Sequence, residues 1–251
     1  MQRHSNTSGS TGQRPLVLFD ALYIINLPSR PDRRKEMIEQ LKLADIEAGD
    51  PRVCFFNAVR PVEKAGFPTV GTRGCFLSHL GVLKLAQQAG HRTILLLEDD
   101  TNFAIRSPED LEVLGRQLGE REWDFVYPGF LSITPATELT SALSVVEPAS
   151  SVMGAHMMLI RSTVFATLIA YLEDMLTRPT GSAEGGPMHV DGAYSWFRRE
   201  HPSLTTLVCS PQLGYQRPSR TDIHRLQWFD RTPVVRSIVQ RLRRARAKSR
   251  V

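Results

Sequence analysis

Short apolar runs alternate with amphipathic stretches along most of this chain, and that alternation constrains its fold more tightly than any other feature. Residues 16–27 are apolar and β-branched and are halted by Pro28, the pattern of a buried first strand. Residues 32–43 place Met37, Ile38 and Leu41 on one face with charges elsewhere, as an amphipathic helix does. The pattern repeats with a strand at 53–59, then a helix at 77–88 with Leu80, Leu83 and either Leu85 or Ala86 inward. A short apolar strand at 93–97 follows, and Ser107-Pro108-Glu109-Asp110 marks a helix start. Further strands are predicted at 125–127, 152–160 and 204–209. Further helices are predicted from Ser162 to about Met175 and over 191–199, with the Gly-rich 180–186 stretch as a mobile loop. Such alternation predicts a single α/β domain with a largely parallel sheet. Ligands in such sheets bind beyond the carboxyl ends of the strands.

Composition narrows the class. With 41% hydrophobic residues in 251, the chain has enough apolar material for one sizeable core, which excludes disorder of the whole. No uninterrupted apolar run exceeds five residues, as at 21–25, against the ~20 a membrane-spanning helix needs. Cys54, Cys75 and Cys209 have no zinc-module or disulfide-framework spacing, and a reducing, cytoplasmic setting is expected. The polar opening, residues 1–15, reads as a disordered tail without the apolar stretch of a secretory signal. Net charge is +5, yet residues 231–251 hold eight basic residues and no acid, so the remainder has 23 basic against 26 acidic. A mildly acidic body argues against a nucleic-acid partner.

The most informative residues are Glu98, Asp99 and Asp100, three consecutive acids at the end of the 93–97 strand. Carboxylates this close raise one another's pKa unless something positive sits among them. A divalent cation with a taste for hard oxygen ligands removes the conflict. Strand alternation would turn Glu98 and Asp100 toward one ion and Asp99 away. A solvated acidic turn is the plainer alternative.

The neighbouring segments add to this. Tyr23-Ile24-Ile25-Asn26-Leu27 precedes Arg30 and Asp32-Arg33-Arg34; Gly74-Cys75-Phe76-Leu77-Ser78-His79 comes next, then Leu96-Leu97-Glu98-Asp99-Asp100 and Trp123-Asp124-Phe125-Val126-Tyr127-Pro128-Gly129. In this order and spacing the chain, from about Ala21 to about His224, resembles the family 25 glycosyltransferases, which include lipooligosaccharide (LPS-biosynthesis) and collagen galactosyltransferases. The resemblance implies a GT-A-like, Rossmann-type central sheet flanked by helices over residues 16–230. It also implies a nucleotide-sugar donor, UDP-galactose by default, a divalent metal (Mn2+ or Mg2+) and inversion of the anomeric centre.

Carried onto this sequence, the resemblance implies that Asp100 and Glu98 ligate the metal, with Asp99 touching either the ribose or the metal. Asn26, Arg30, Arg33, Ser78 and His79 would serve the nucleotide sugar; arginine binds phosphate oxygens in bidentate fashion. Ser78 and His79 are expected to begin a helix, with serine in the ordinary N-cap role. Cys75 reads as a small packed residue. An inverting transfer needs a carboxylate to take the acceptor hydroxyl proton. Asp191 is the first candidate, with a helix N-cap as its plainer role, and Glu184 is the second. His189 and His224 are candidates for further metal or donor contacts.

Residues 231–251 form a separate expectation. After Pro233, helical spacing gathers Val235, Val239 and Leu242 on an apolar stripe, with Arg236 and Arg243 among the basics around it. A basic amphipathic helix of this kind lies in an anionic headgroup layer, which suits a glycan or lipid-linked glycan acceptor at the cytoplasmic membrane face. Two other functions fit some of these features: an inactive relative acting as a membrane-surface binding module, and a metal-dependent nucleotidyltransferase.

Overall fold

The computed structural model describes residues 18–217. The elements in chain order are β1 (Ala21–Asn26), α1 (Pro31–Leu43), β2 (Val53–Asn57), α2 (Val70–Gln88), β3 (Thr93–Glu98), β4 (Thr101–Phe103), α3 (Glu109–Gly119) and β5 (Phe125–Gly129). They continue with β6 (Ser132–Thr134), β7 (Leu143–Val145), β8 (Ser151–Met153), β9 (Met157–Arg161), α4 (Phe165–Thr177), α5 (Val190–Glu200), β10 (Thr206–Cys209) and β11 (Gly214–Gln216). The expected tails at 1–15 and 231–251, and the expected site residues His224, Val235, Arg236, Val239, Leu242 and Arg243, lie outside the described residues.

Seven strands form the central sheet in the order β2-β1-β3-β9-β5-β10-β7. Five run in one direction; β9, between β3 and β5, and the edge strand β7 run against them. The α/β expectation, a largely parallel central sheet flanked by helices, is met. Alternation along β1 shows why two helical layers are required. Ala21, Tyr23 and Ile25 point into a core shared with Phe76, Leu80 and Leu83 of α2, Leu168 and Leu172 of α4 and Phe197 of α5. Leu22 and Ile24 point the other way, onto Met37 and Leu41 of α1 and Leu111, Leu114 and Leu118 of α3. A sheet covered on both faces buries every position of its inner strands, and all six residues of β1, five apolar and Asn26, are buried. Among the described residues no helix is long and apolar enough to cross a membrane.

Two local expectations are corrected. The helix expected from residue 77 begins at Val70, where Thr69 caps it by accepting the Thr72 N–H at 3.0 Å. Ser78 and His79 therefore lie in its third turn, fully buried, and start nothing. The strand expected over 152–160 is two strands, β8 and β9, divided at Gly154, whose φ of +91° is open to glycine at little cost. The small sheet β4–β11 pairs Thr101 with Gln216 and Asn102 with Tyr215. It has no counterpart in the sequence pattern, yet it brings residues 214–217 beside the acid triplet.

Candidate active site

Parallel β1, β2 and β3 end at one edge of the sheet, where β3 delivers Glu98 and the following turn delivers Asp99 and Asp100. All three acids line a cleft of about 310 Å³, together with Ile25, Arg33, Val59, Arg60 and the first turns of α2 from Val70 to Ser78. Gly74 makes this close approach of α2 feasible. A Cβ there would stand 2.6 Å from the Val59 carbonyl oxygen, and backbone cannot yield as a side-chain tip can. Ser78 ties the same junction, accepting the Val59 N–H at 2.8 Å and donating to the Gly74 carbonyl at 2.6 Å.

The three carboxylates have three different surroundings. Asp99 is braced: it accepts hydrogen bonds from Asn26 Nδ2 and from Arg33 Nη1, each at 2.7 Å. Arg217, entering after β11, donates Nη2 to the Asp99 carbonyl at 2.9 Å and its own N–H to the Asp100 carbonyl at 2.7 Å. It also pairs with Glu36 at 2.7 Å. This clamp joins β1, α1, β3 and the segment after β11 through charge-assisted bonds.

Asp100 is served more loosely, by Arg33 at 3.8 Å and by the Gln216 amide at 3.4 Å to each oxygen. It is 4% exposed, and burial together with the nearby Glu98 and Asp99 charges pushes its carboxyl up to about 7 against the pull of Arg33. Burial works on Glu98 in the same direction, but the hydrogen bond and charge of His79, joined by His156 and the Cys75 hydrogen bond, hold Glu98 below the usual carboxylate range.

Glu98 turns toward α2. Its Oε1 lies 3.2 Å from His79 Nε2 and 3.3 Å from Cys75 Sγ, and His79 Nδ1 lies 3.0 Å from the Tyr194 hydroxyl of α5. Burial, reinforced by Glu98, drives the Cys75 thiol well above its ordinary pKa, so the thiol donates and Glu98 accepts. Among the described residues, Cys75, His79 and Glu98 form the one group of three such side chains whose ligating atoms all lie within 4.8 Å of one another.

Asp191 is the second residue of α5, and His189 holds the N-cap position, so Asp191 is not the cap. Its two oxygens accept the Gly154 N–H at 2.9 Å and the Gly192 N–H at 2.8 Å. It is half-buried, and α5 packs with α2 into one core on the side of the sheet toward which Glu98 turns. Glu184 and His189 are exposed, and among the described residues the Glu184 carboxylate has no hydrogen bond or ion pair.

No family model matches the chain. Its curated relatives are more informative. Inactive glycosyltransferase 25 family member 3 of Homo sapiens is 27% identical over 156 residues, covering 55% of this chain and 26% of that protein. Procollagen galactosyltransferase 1-B of Xenopus laevis is 30% identical over 133 residues, covering 44% and 21%. Procollagen galactosyltransferase 2 of Homo sapiens is 26% identical over 129 residues, covering 44% and 21%. This chain is related to glycosyltransferase family 25. It spans about a quarter of the length of the curated family-25 relatives it matches. Solved structures are more distant: A197 from STIV has a TM-score of 0.40 and 13% identity, covering 82% of this chain and 97% of that one, a likeness too loose to bear on function.

In this family-25 relative the expected site residues separate by position. Arg33, Ser78, Glu98, Asp99 and Asp100 line the cleft. Asn26 and His79 stand behind it, each bonded to one of the acids. Arg30 is engaged by Asp32, with Nε and Nη2 at 2.9 and 2.7 Å from the carboxylate oxygens, and holds that acid down to about 2. The expected division of the acids is altered, because β3 stops at Glu98 and strand alternation ends with it. Asp99 does turn aside, but Glu98 and Asp100 diverge toward α2 and toward Gln216. Both carboxylates supply hard oxygens, the donor type an oxygen-seeking divalent cation takes, but from diverging directions. Arg60 on the cleft and the partner Tyr194 were not singled out from sequence, whereas Gln216 and Arg217 fall in the stretch, ending near His224, that closes the family resemblance. Tyr194 lies three residues from Asp191 on the same helix, a spacing that could have suggested it; the other contacts carry no local signal.

Proposed function

We propose that this chain transfers a sugar from a nucleoside-diphosphate donor, held in the cleft at the end of β3, to a hydroxyl of a glycan or lipid-linked glycan. The observation that carries this reading is the convergence of Glu98, Asp99 and Asp100 on one cleft at the carboxyl ends of three parallel strands. Glu98 and Asp100 would hold Mn2+ or Mg2+, which when bound neutralises the charge of the leaving diphosphate. Asn26, Arg33 and Arg217 keep Asp99 and the acid turn rigid, and Arg60 offers a guanidinium to the donor phosphates. Asp191 takes the acceptor proton while that oxygen bonds to the anomeric carbon and the carbon–phosphate-oxygen bond breaks, with inversion; Glu184 is the second candidate for this role. UDP-galactose is the default donor, supported by the names of the procollagen galactosyltransferase relatives. The cytoplasmic membrane face remains the setting we propose, through residues 231–251.

The test is a panel of labelled nucleotide sugars with Mn2+ or chelator. We expect metal-dependent release of the sugar and a loss of 10²-fold or more in Asp100→Asn, on the order of the cost of removing a preorganised charge stabiliser. Wild-type rates in that variant would remove the assignment. A second reading, donor binding without turnover, is favoured by one observation. Arg33 already reaches Asp99 at 2.7 Å and Asp100 at 3.8 Å and so supplies cationic charge within the triplet. Relatives named as inactive are consistent with it. Saturable UDP binding with no release from any donor would establish that reading.

A further inference from the structure

We propose that Cys75, His79 and Glu98 form a binding site for a thiophilic divalent cation of the zinc class, different in donor set from the oxygen site of the acid triplet although Glu98 belongs to both. Cys75 and His79 are four residues apart on α2 and so project from one face of the helix, a chelating spacing, and β3 supplies the third ligand. His79 Nε2 and Cys75 Sγ lie 3.2 and 3.3 Å from Glu98 Oε1, separations close to those between neighbouring ligands of a tetrahedral ion.

A second, independent feature points the same way. His79 is fully buried, and its other nitrogen, Nδ1, lies 3.0 Å from the Tyr194 hydroxyl. Metal-bound histidines typically place their remaining N–H on such a partner, which fixes the tautomer that leaves Nε2 free to ligate. Cys75 and Glu98 line the cleft while His79 does not, so three protein ligands close the inner side and a fourth position opens to the cleft. On binding, the Cys75 thiol and His79 Nε2 each release a proton to solvent and the remaining imidazole proton resides on Nδ1, so no co-reactant is needed.

The experiment uses the full chain without nucleotide and Co2+ as the probe, followed by Zn2+. We expect a thiolate-to-cobalt charge-transfer band that saturates at about one equivalent and is displaced by Zn2+. Cys75→Ser should lose the band. Tyr194→Phe should keep it and bind about 10- to 100-fold more weakly, the usual cost of losing a partner behind a ligand. Asp100→Asn should leave it unchanged even where sugar transfer is lost, so failure here and failure of the transferase reading are told apart. The wild-type spectrum stands even if Cys75→Ser does not fold. No thiolate band in the wild-type chain, or its survival in Cys75→Ser, overturns the proposal.

Discussion

Replacing Asp100 with asparagine should stabilise this protein above neutral pH while removing its activity, and the size of the effect follows from the carboxylate's surroundings. Asp100 is 4% exposed, and burial with two neighbouring acids raises its carboxyl from 3.8 to about 7. Because the folded-state value lies above the unfolded one, the folded protein holds the proton more tightly. Stability therefore falls as pH rises from about 4, and the full penalty is felt above about 7. The interval corresponds to ~4 kcal/mol at most. Glu98 shares the repulsion, so ~2 kcal/mol is the smaller figure we work with. In a domain of this size that amounts to a rise in Tm of roughly 4–8 °C for Asp100→Asn at pH 8, shrinking toward zero near pH 4. The Gln216 and Arg33 contacts can be kept in altered form, since the amide retains an acceptor oxygen. The assay is thermal unfolding of both proteins across pH 4–8 with chelator present, repeated with Mn2+, which should raise only the wild-type Tm. An Asp100→Asn protein that melts lower than wild type at pH 8, or a difference independent of pH, would refute the reasoning.

Asp191→Asn should abolish sugar transfer while leaving UDP affinity within about twofold, because a base acts on the acceptor; a collapse of UDP binding by calorimetry would move Asp191 to the nucleotide site. Arg198, buried at 1% exposure, donates to Thr206 Oγ1 at 2.7 Å and to the Ser150 and Glu147 carbonyls at 3.2 and 3.1 Å. Arg198→Met should destabilise by roughly 3 kcal/mol in urea unfolding, since buried acceptors lose their donors, and an unchanged midpoint would count against it. Full-length protein should sediment with anionic liposomes at low salt and be released at high salt, whereas a chain ending at Asp230 should not; equal behaviour of the two would remove residues 231–251 from the proposal.

The legible part of the fold was the part written in periodicity. Apolar runs at 21–25 and 94–97, short and bounded by turn or polar residues, read as strands covered on both faces, and Met37 with Leu41, or Leu80 with Leu83, as inward helix faces. In a largely parallel sheet those constraints put Glu98, Asp99 and Asp100 at the ligand-binding edge, while the pairing of β1 with β3 came from the tertiary structure. The helix start was misplaced because Thr69 is a weaker signal than Ser78, although Ser78 spends its hydroxyl on Gly74 and Val59 inside the helix.

By itself, then, the sequence determined the alternating layers, the position of the acid triplet and the resemblance to family 25, since each depends on residue types at short range. The tertiary structure alone decided how the acids are used. Asn26 meets Asp99 across 73 positions, Arg217 meets it across 118, and Glu98 finds Cys75 and His79 on a helix that precedes it by about 20 residues. Three adjacent carboxylates are equivalent in sequence. Burial and charge partners arriving from distant strands and helices make one a strut, one a hydrogen-bonded acceptor and one a carboxylate short of positive charge, because in a desolvated site the energy of a charge is set by its nearest few ångströms.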